Sequence, residues 1–190
     1  RQMCIRDRVG FIRGYKAVLN PDNSLKEILP LQNLGSTLPT AYGNFSLSAS
    51  YKNLSFMLSG DYQYGAYVHS FDRQFRFSKG LKDDAIPEKA LEGLDQGANW
   101  LNFTNFFVEK SDFLKIRNIG IAYDYKPKKY LKSVNLAFNV YNPFAFTASS
   151  VDPEAALAGA RSQGAVAVGG LNYSSYSTPR QYVGTIRVSF

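Results

Sequence analysis

The strongest constraint on the fold is a two-residue alternation of apolar and polar side chains that recurs in separate segments. In 43–52, Phe45, Leu47, Ala49 and Tyr51 alternate with Asn and Ser. The pattern resumes after Lys52-Asn53 and again in 181–190. A period of two indicates β-strands with one apolar face, and a short polar turn between two such runs indicates a hairpin. The sequence therefore predicts strands at 43–52, 54–68 and 181–190.

Two further strands are predicted at 112–125 and 133–142. In the first of these, Ile119, Ile121, Tyr123 and Tyr125 alternate with smaller or more polar residues at its end. Earlier in the segment, Lys115 and Arg117 share the parity of those residues, so the two faces are not separated there. The intervals 70–111 and 143–180 are predicted as long loops. Loops of this length are uncommon in compact soluble domains. Short turns on one side and long loops on the other are typical of a transmembrane β-barrel wall.

Composition agrees with a barrel wall. Aromatic residues make up 15% of the chain and charged residues only 19%, and tyrosines gather near strand ends, where barrel girdles meet the lipid interface. The polar face carries small hydrogen-bonding side chains instead of charges, as suits a lumen. A soluble β-sandwich that binds carbohydrate through exposed aromatics has the same alternation and remains the alternative.

Four motifs occur in a characteristic order. They are LGSTLP (34–39) with Gly43 and YKN (51–53), then FVEKSDFLKIRNIGIAY (107–123), NPFAFT (142–147) with DPE (152–154), and YSTPR (176–180) with the final SF (189–190). Together they resemble the C-terminal barrel segment of SusC-like TonB-dependent outer-membrane receptors. Pro143 and Lys110 depart from the usual residues of these motifs without disturbing the strand pattern.

The resemblance implies a fragment of an active transporter that imports glycans or other nutrients across the outer membrane of a Gram-negative bacterium. Such receptors close a 22-stranded, plugged barrel, so we expect residues 9–190 to be an all-β antiparallel meander, the last ~5 strands, unable to close alone. The implied partners are outer-membrane lipids, the TonB complex through an N-terminal part, a SusD-like surface lipoprotein and the barrel-assembly machinery.

Residues 1–8 (RQMCIRDR) differ abruptly in composition from the chain after Val9 and look like a translated sequencing adapter from a metagenomic reading frame, so they are set aside. They contain Cys4, the one cysteine of the chain. The remaining sequence therefore predicts neither disulfides nor thiol chemistry.

No catalytic, cofactor or metal residues are predicted, and the chain is not expected to be an enzyme. His69 lacks a nucleophile arrangement and is expected to be a surface or girdle residue. The acidic residues of 83–95 lack the spacing of a calcium loop. The lysines of 126–132 lie in a connection without a nucleic-acid-binding motif, so no nucleic acid partner is predicted.

Two groups of candidate functional residues remain. Phe190 with Val188, Ile186 and Tyr182 resembles the terminal-strand signal of barrel assembly, which implies a periplasmic C-terminus and extracellular loops at 70–111 and 143–180. The loop aromatics Trp100, Tyr173 and Tyr176 are candidates for stacking on a ligand, with packing inside the loops as the alternative.

Overall fold

The computed structural model describes residues 10–127, 131–150, 152, 171–172 and 177–189. The chain divides into two compact units. The sheet unit comprises Ala41–Gln63, Phe113–Phe146 and Thr178–Phe190; the hairpin-and-helix unit comprises Arg1–Thr40, Tyr64–Asp112 and Thr147–Ser177.

Strands make up most of the described structure. In chain order they are β1 (Phe11–Leu19), β2 (Leu25–Ser36), β3 (Ala41–Tyr51), β4 (Leu54–Tyr64), β5 (Tyr67–Ser70), β6 (Val108–Lys110), β7 (Phe113–Tyr125), β8 (Ser133–Thr147), β9 (Leu171–Asn172) and β10 (Gln181–Ser189). Helix α1 spans Phe71–Ser78 and α2 spans Gln96–Asn99, with 3₁₀ turns at Glu88–Leu91 and Trp100–Phe107.

The sheet unit is a five-stranded meander. Its strand order is β10-β8-β7-β4-β3, with β4 antiparallel to β7 and β8 antiparallel to β10. Over the described residues this sheet stays open, and β3 and β10 form its edges. The predicted all-β antiparallel fold, an incomplete barrel segment, is thereby confirmed.

A β-bulge in β7 explains why its two faces are mixed in the sequence. Ser59 pairs with Asn118 and Gly60 pairs with Ile116, so Arg117 is the extra residue. Because β7 contains one additional residue, the residues that precede Arg117 lie on the opposite face from the one that their sequence parity predicts. As a result, Leu114 and Ile116 share the face of Ile119 and Ile121, while Lys115 lies opposite Asp61 on the other face.

Aromatic rings pack over glycines between β3 and β4. A Cβ added at Gly60 would lie 2.5 Å from the ring of Phe45, and one at Gly43 would lie 3.1 Å from the ring of Tyr62. Each strand thus supplies a ring that covers a glycine on its neighbour, an arrangement that pins strand register. Lys52, with φ of 54°, makes the tight turn of this hairpin.

Strand β8 continues beyond its predicted end at 142 to Thr147, so the expected loop 143–180 begins later than predicted. Proline lacks a ladder donor, which is why a strand end is expected there. The β8–β10 ladder already ends at the pair of Tyr141 and Gln181, so Pro143 interrupts no bond to β10. Its carbonyl accepts a hydrogen bond from Arg180 Nη2 at 2.6 Å.

Strand β4 also differs from its prediction, 54–68, because it ends at Tyr64. Gly65 has a φ of 84° and donates its backbone N–H to Asp112 Oδ1 at 2.6 Å. This turn takes the chain into β5, which belongs to a small sheet of order β6-β5-β9 in the hairpin-and-helix unit. The β5–β9 pairing is parallel and two residues long.

The interval 70–111, expected to be a loop, folds around an aromatic core. Phe77, Phe103 and Phe107 are fully buried, with ring centroids 5.7 Å apart for Phe77–Phe103 and 5.5 Å for Phe77–Phe107. The β1–β2 hairpin, absent from the sequence prediction, contributes Ala17 to this core. The Asn105 side chain binds both backbone groups of Ala17, at 2.9 Å and 3.3 Å.

Candidate functional site

One face of the five-stranded sheet is apolar and exposed. Ile121 is 47% exposed, Phe138 is 46% exposed and Ile186 is 73% exposed. The β4–β7 and β8–β10 ladders align them with the apolar residues of their own pairs of strands, and Ile121, Phe138 and Ile186 line one shallow hollow that joins the two pairs. The further residues of this face are Leu54, Phe56, Leu58, Tyr62, Leu114, Ile116, Ile119, Tyr123, Val134, Leu136, Val140, Tyr182 and Val188. A contiguous exposed apolar surface of this extent marks contact with a membrane or another apolar surface.

Tyrosines border this apolar face at both ends of the strands. Tyr51 and Tyr123 lie beside the Lys52-Asn53 turn, and Tyr62 and Tyr182 lie towards the opposite end. All four are exposed. Tyr182 stacks on Phe138 with a centroid distance of 6.5 Å, so this border is continuous with the apolar centre.

The opposite face is polar and contains an ion pair at the bulge. Arg117 donates to both carboxylate oxygens of Asp61, with Nη2 to Oδ2 at 2.8 Å. The neighbouring Asn118 is 8% exposed, and its Oδ1 accepts no hydrogen bond from the residues that the structure describes. Ser50 and Ser55 are hydroxyl neighbours on the same face, 3.2 Å apart. Besides these small polar groups and the ion pair, this face carries charged side chains such as Lys115 and Arg187. Polar side chains of this kind suit contact with water.

The hairpin-and-helix unit contains a charged network around Arg73. This guanidinium donates to Asp83 at 2.5 Å and 2.9 Å and also to Glu109. Glu109 in turn accepts from Ser150 N and Oγ, at 2.6 Å and 2.8 Å. Burial alone would raise the pKa of Asp83, but the hydrogen bonds from Arg73 and from Ala85 N, together with the charges of Arg73 and Arg76, outweigh it and the pKa is lowered. The network joins α1, the loop after it and β6.

His69 is half-buried in the same unit, whereas the sequence predicts a surface or girdle residue. Its Nε2 lies 2.5 Å from Gln74 Oε1, and Gln74 Nε2 donates to Thr104 Oγ1 at 3.0 Å. Burial lowers the pKa of His69, which favours the neutral ring. The histidine is therefore part of the packing of β5 against α1.

Trp100 is partly buried against the aromatic core and packs edge-on to Phe71 at a centroid distance of 6.1 Å. This is the packing role that the sequence left open as the alternative to ligand stacking. Tyr173 and Tyr176 lie outside the described residues, so their ligand contacts stay predictions.

The terminal strand has the predicted face. Tyr182, Ile186 and Val188 are exposed on the apolar side of β10, opposite Val140, Leu136 and Val134 of β8. Phe190 lies outside the described residues.

Within the described ranges no group of three or more His, Cys, Asp and Glu side chains is arranged to hold a metal ion. The helices in those ranges are too short or too polar to cross a membrane.

Comparison with solved structures links this architecture to known proteins. The chain aligns with the RagAB peptide importer in its "closed-closed" state at a TM-score of 0.65 and 20% identity, over 95% of this chain and 23% of that chain. It folds like one segment of the RagAB importer. The "open-open" state and a RagAB peptide transporter structure align at TM-scores of 0.62, with 20% and 21% identity, over 95% of this chain and 22% of each RagAB chain.

The chain thus spans less than a quarter of the length of the RagAB chains that it matches. No family model matches the sequence, and no curated protein is similar to it. At this identity, the likeness to RagAB shows the fold of the chain.

Proposed function

We propose that this chain is part of the wall of a SusC-like, TonB-dependent outer-membrane transporter. The observation that carries the proposal is the exposed apolar face of the five-stranded meander, bordered by tyrosines at both ends. In water this face would remain unburied, at a cost of ~25 cal/mol for each Å² of apolar surface. Lipid tails remove that cost.

The dimensions of the apolar face fit a bilayer. From Leu54 to Tyr62, β4 spans about 27 Å at the usual rise per residue. With the tilt of outer-membrane strands, this length covers about 20 Å of membrane thickness, close to the ~25 Å apolar band of such barrels. The polar face, with the Asp61–Arg117 pair, then faces the lumen.

A β-sandwich that binds carbohydrate is the less favoured function. A sandwich buries the apolar face of one sheet against a second sheet about 10 Å away. In this structure Phe138 and Ile186 remain exposed, and the RagAB structures of like fold are those of a peptide importer.

The transported nutrient is proposed to be a peptide or a glycan. RagAB is a peptide importer, and the sequence motifs of this chain resemble those of SusC-like nutrient receptors. By the same resemblance we propose the TonB complex, a SusD-like surface lipoprotein and the barrel-assembly machinery as partners. The C-terminus is proposed to be periplasmic, and Phe190 with Tyr182, Ile186 and Val188 to be the assembly signal.

Adjacent residues of β10 provide a matched test of the proposal. Ile186→Arg places a charge on the lipid side and should cost about 2–4 kcal/mol if the site lies near the bilayer midplane. Thr185→Arg introduces the same charge on the lumen side of the same strand and should be tolerated. The natural protein that carries this chain would be compared as wild type and both variants in cells that lack its gene.

The measurements are the amount of detergent-extractable protein in the outer membrane and the uptake of labelled oligopeptides and oligosaccharides. We expect Ile186→Arg to lower both and Thr185→Arg to leave both near wild type. Equal losses in the two variants would refute the assignment of faces. A wild-type protein that stays in the aqueous fraction without detergent, or that supports no uptake, would refute the transporter.

A further inference from the structure

Three exposed lysines gather at one end of the five-stranded sheet. Lys52 occupies the β3–β4 turn, Lys126 follows β7 and Lys132 precedes β8. These connections are neighbours, because Asp124 N donates to Asn53 O at 2.8 Å. Lys132 N donates to Ser189 O, also at 2.8 Å, which adds the end of β10 to the same group.

Tyrosines accompany these lysines. Tyr51, Tyr123 and Tyr125 are exposed at this end of the sheet, and Lys52 Nζ lies 5.2 Å from the centroid of the Tyr51 ring. We define the lysine end as Lys52, Lys126 and Lys132 together with these three tyrosines. A tyrosine belt with lysines just beyond it is the pattern of the headgroup region of a membrane, where rings lie at the interface and ammonium groups extend outward.

Among the described residues, the lysine end carries more positive than negative charge. Asp124 is the carboxylate of the described residues that adjoins the two turns, and it accepts a hydrogen bond from Asn135 Nδ2 at 2.7 Å. Three ammonium groups thus face one carboxylate in this part of the described structure. Such a surplus attracts phosphate groups of anionic lipid.

We propose that the lysine end binds the phosphates of an anionic phospholipid such as phosphatidylglycerol. The inference rests on the proposed function, because it requires the apolar face to lie in a membrane. The ring of Tyr51 and the ammonium group of Lys52 would hold the glycerol and the phosphate of one headgroup, and Tyr125 with the adjacent Lys126 offers a second combination of the same two residue types.

Phospholipid is favoured over lipopolysaccharide by the length of the turns. The β3–β4 connection is two residues long, so Lys52 cannot rise far above the level of Tyr51. Short turns lie on the periplasmic side of outer-membrane barrels, and the periplasmic leaflet consists of phospholipid. The lysine end would therefore meet phospholipid headgroups.

The test compares two triple variants of the natural protein that carries this chain. One is Lys52→Gln, Lys126→Gln and Lys132→Gln. The control is Lys79→Gln, Lys82→Gln and Lys89→Gln, which removes the same charge from exposed lysines of the hairpin-and-helix unit. Each protein is reconstituted in phosphatidylcholine vesicles with trace spin-labelled phosphatidylglycerol or spin-labelled phosphatidylcholine, and the motionally restricted fraction of each probe gives its relative binding constant.

We expect wild type and control to prefer phosphatidylglycerol severalfold over phosphatidylcholine, with a preference that falls at high salt. The lysine-end variant should show no preference. An equal loss in both triples, or a preference that survives in the lysine-end variant, would overturn the inference. Added lipopolysaccharide that displaces labelled phosphatidylglycerol from wild type more strongly than unlabelled phosphatidylglycerol does would also overturn it. Failure of the wild type to enter vesicles at all would instead refute the proposed function.

Discussion

Gly60 is a position in the sheet where the addition of a single methyl group should lower the stability of the protein. An alanine Cβ at this position would lie 2.5 Å from the backbone oxygen of Lys115 and 2.5 Å from the ring of Phe45. The backbone oxygen is fixed by the β4–β7 ladder, so the conflict cannot be relieved by turning the ring alone. We predict that Gly60→Ala costs about 2 kcal/mol, within the range for overpacked sites.

Gly184 is the matched control, because an added Cβ there meets no atom within 4 Å. The measurement is the urea midpoint of unfolding for the natural protein reconstituted in vesicles. Gly60→Ala should lower the midpoint and Gly184→Ala should leave it near wild type. A Gly60→Ala protein as stable as wild type would mean that Phe45 does not pack over β4 as described.

Single residues also show where sequence reasoning reaches its limit. His69 has no sequence neighbour that reveals its partner, and the structure supplies one from α1, Gln74. Trp100 carries an aromatic ring that suits either a ligand or a core. Its contact with Phe71 depends on how α1 packs against the 3₁₀ segment Trp100–Phe107. No local sequence pattern predicts that packing.

At the scale of elements, the Arg73 network is the connection to test. The side chains of Arg73, Asp83 and Glu109 are 23%, 11% and 17% exposed, respectively. Arg73→Met keeps much of the volume and leaves two largely buried carboxylates without their cation. We predict a loss of about 2 kcal/mol, less than for a fully buried pair. Because the pKa of Asp83 is lowered, this stabilisation is present above pH 3.8 and is lost as pH falls through the lowered pKa.

Hydrogen exchange of residues 71–110 in the natural protein measures this loss. Exchange should be faster in Arg73→Met across α1 and β6, which the network joins. Lys82→Met is the control, since Lys82 and Glu88 form a pair with both side chains 79% exposed, and such pairs contribute little. Unchanged exchange in Arg73→Met would show that the aromatic core alone holds these elements.

Elements were predictable from the sequence where the ladder is regular. The β3–β4 hairpin and β10 keep a period of two, with Met57 and Val183 as apolar exceptions on the polar face. Strand β7 loses the period at Arg117 because of the bulge. Strand β1 was missed because its pairing with β2 shifts register three times along nine residues, so its apolar side chains fall on both parities. The folded part of 70–111 depends on contacts with β1, which are distant in sequence.

For the whole molecule, the sequence predicts the meander and its two faces. In a sheet with one apolar and one polar face, alternate residues of each strand must be apolar and polar, because successive side chains point to opposite faces. The hairpin-and-helix unit could not be predicted in the same way. In its core, Ala17 of β1 packs with Phe103 and Phe107, which lie far away in the sequence. Packing between such distant residues produces no periodic pattern in the sequence.

The central claim, that the apolar face of the meander contacts lipid, is tested most directly by spin labels along β10. Single cysteines would be placed in turn at 182–188 of the natural protein, on a cysteine-free background, and labelled in vesicles. Oxygen, which concentrates in lipid, should relax labels at Tyr182, Gly184, Ile186 and Val188, while a water-soluble nickel chelate should relax those at Val183, Thr185 and Arg187. Accessibility without a two-residue alternation, or with the opposite phase, would contradict the account.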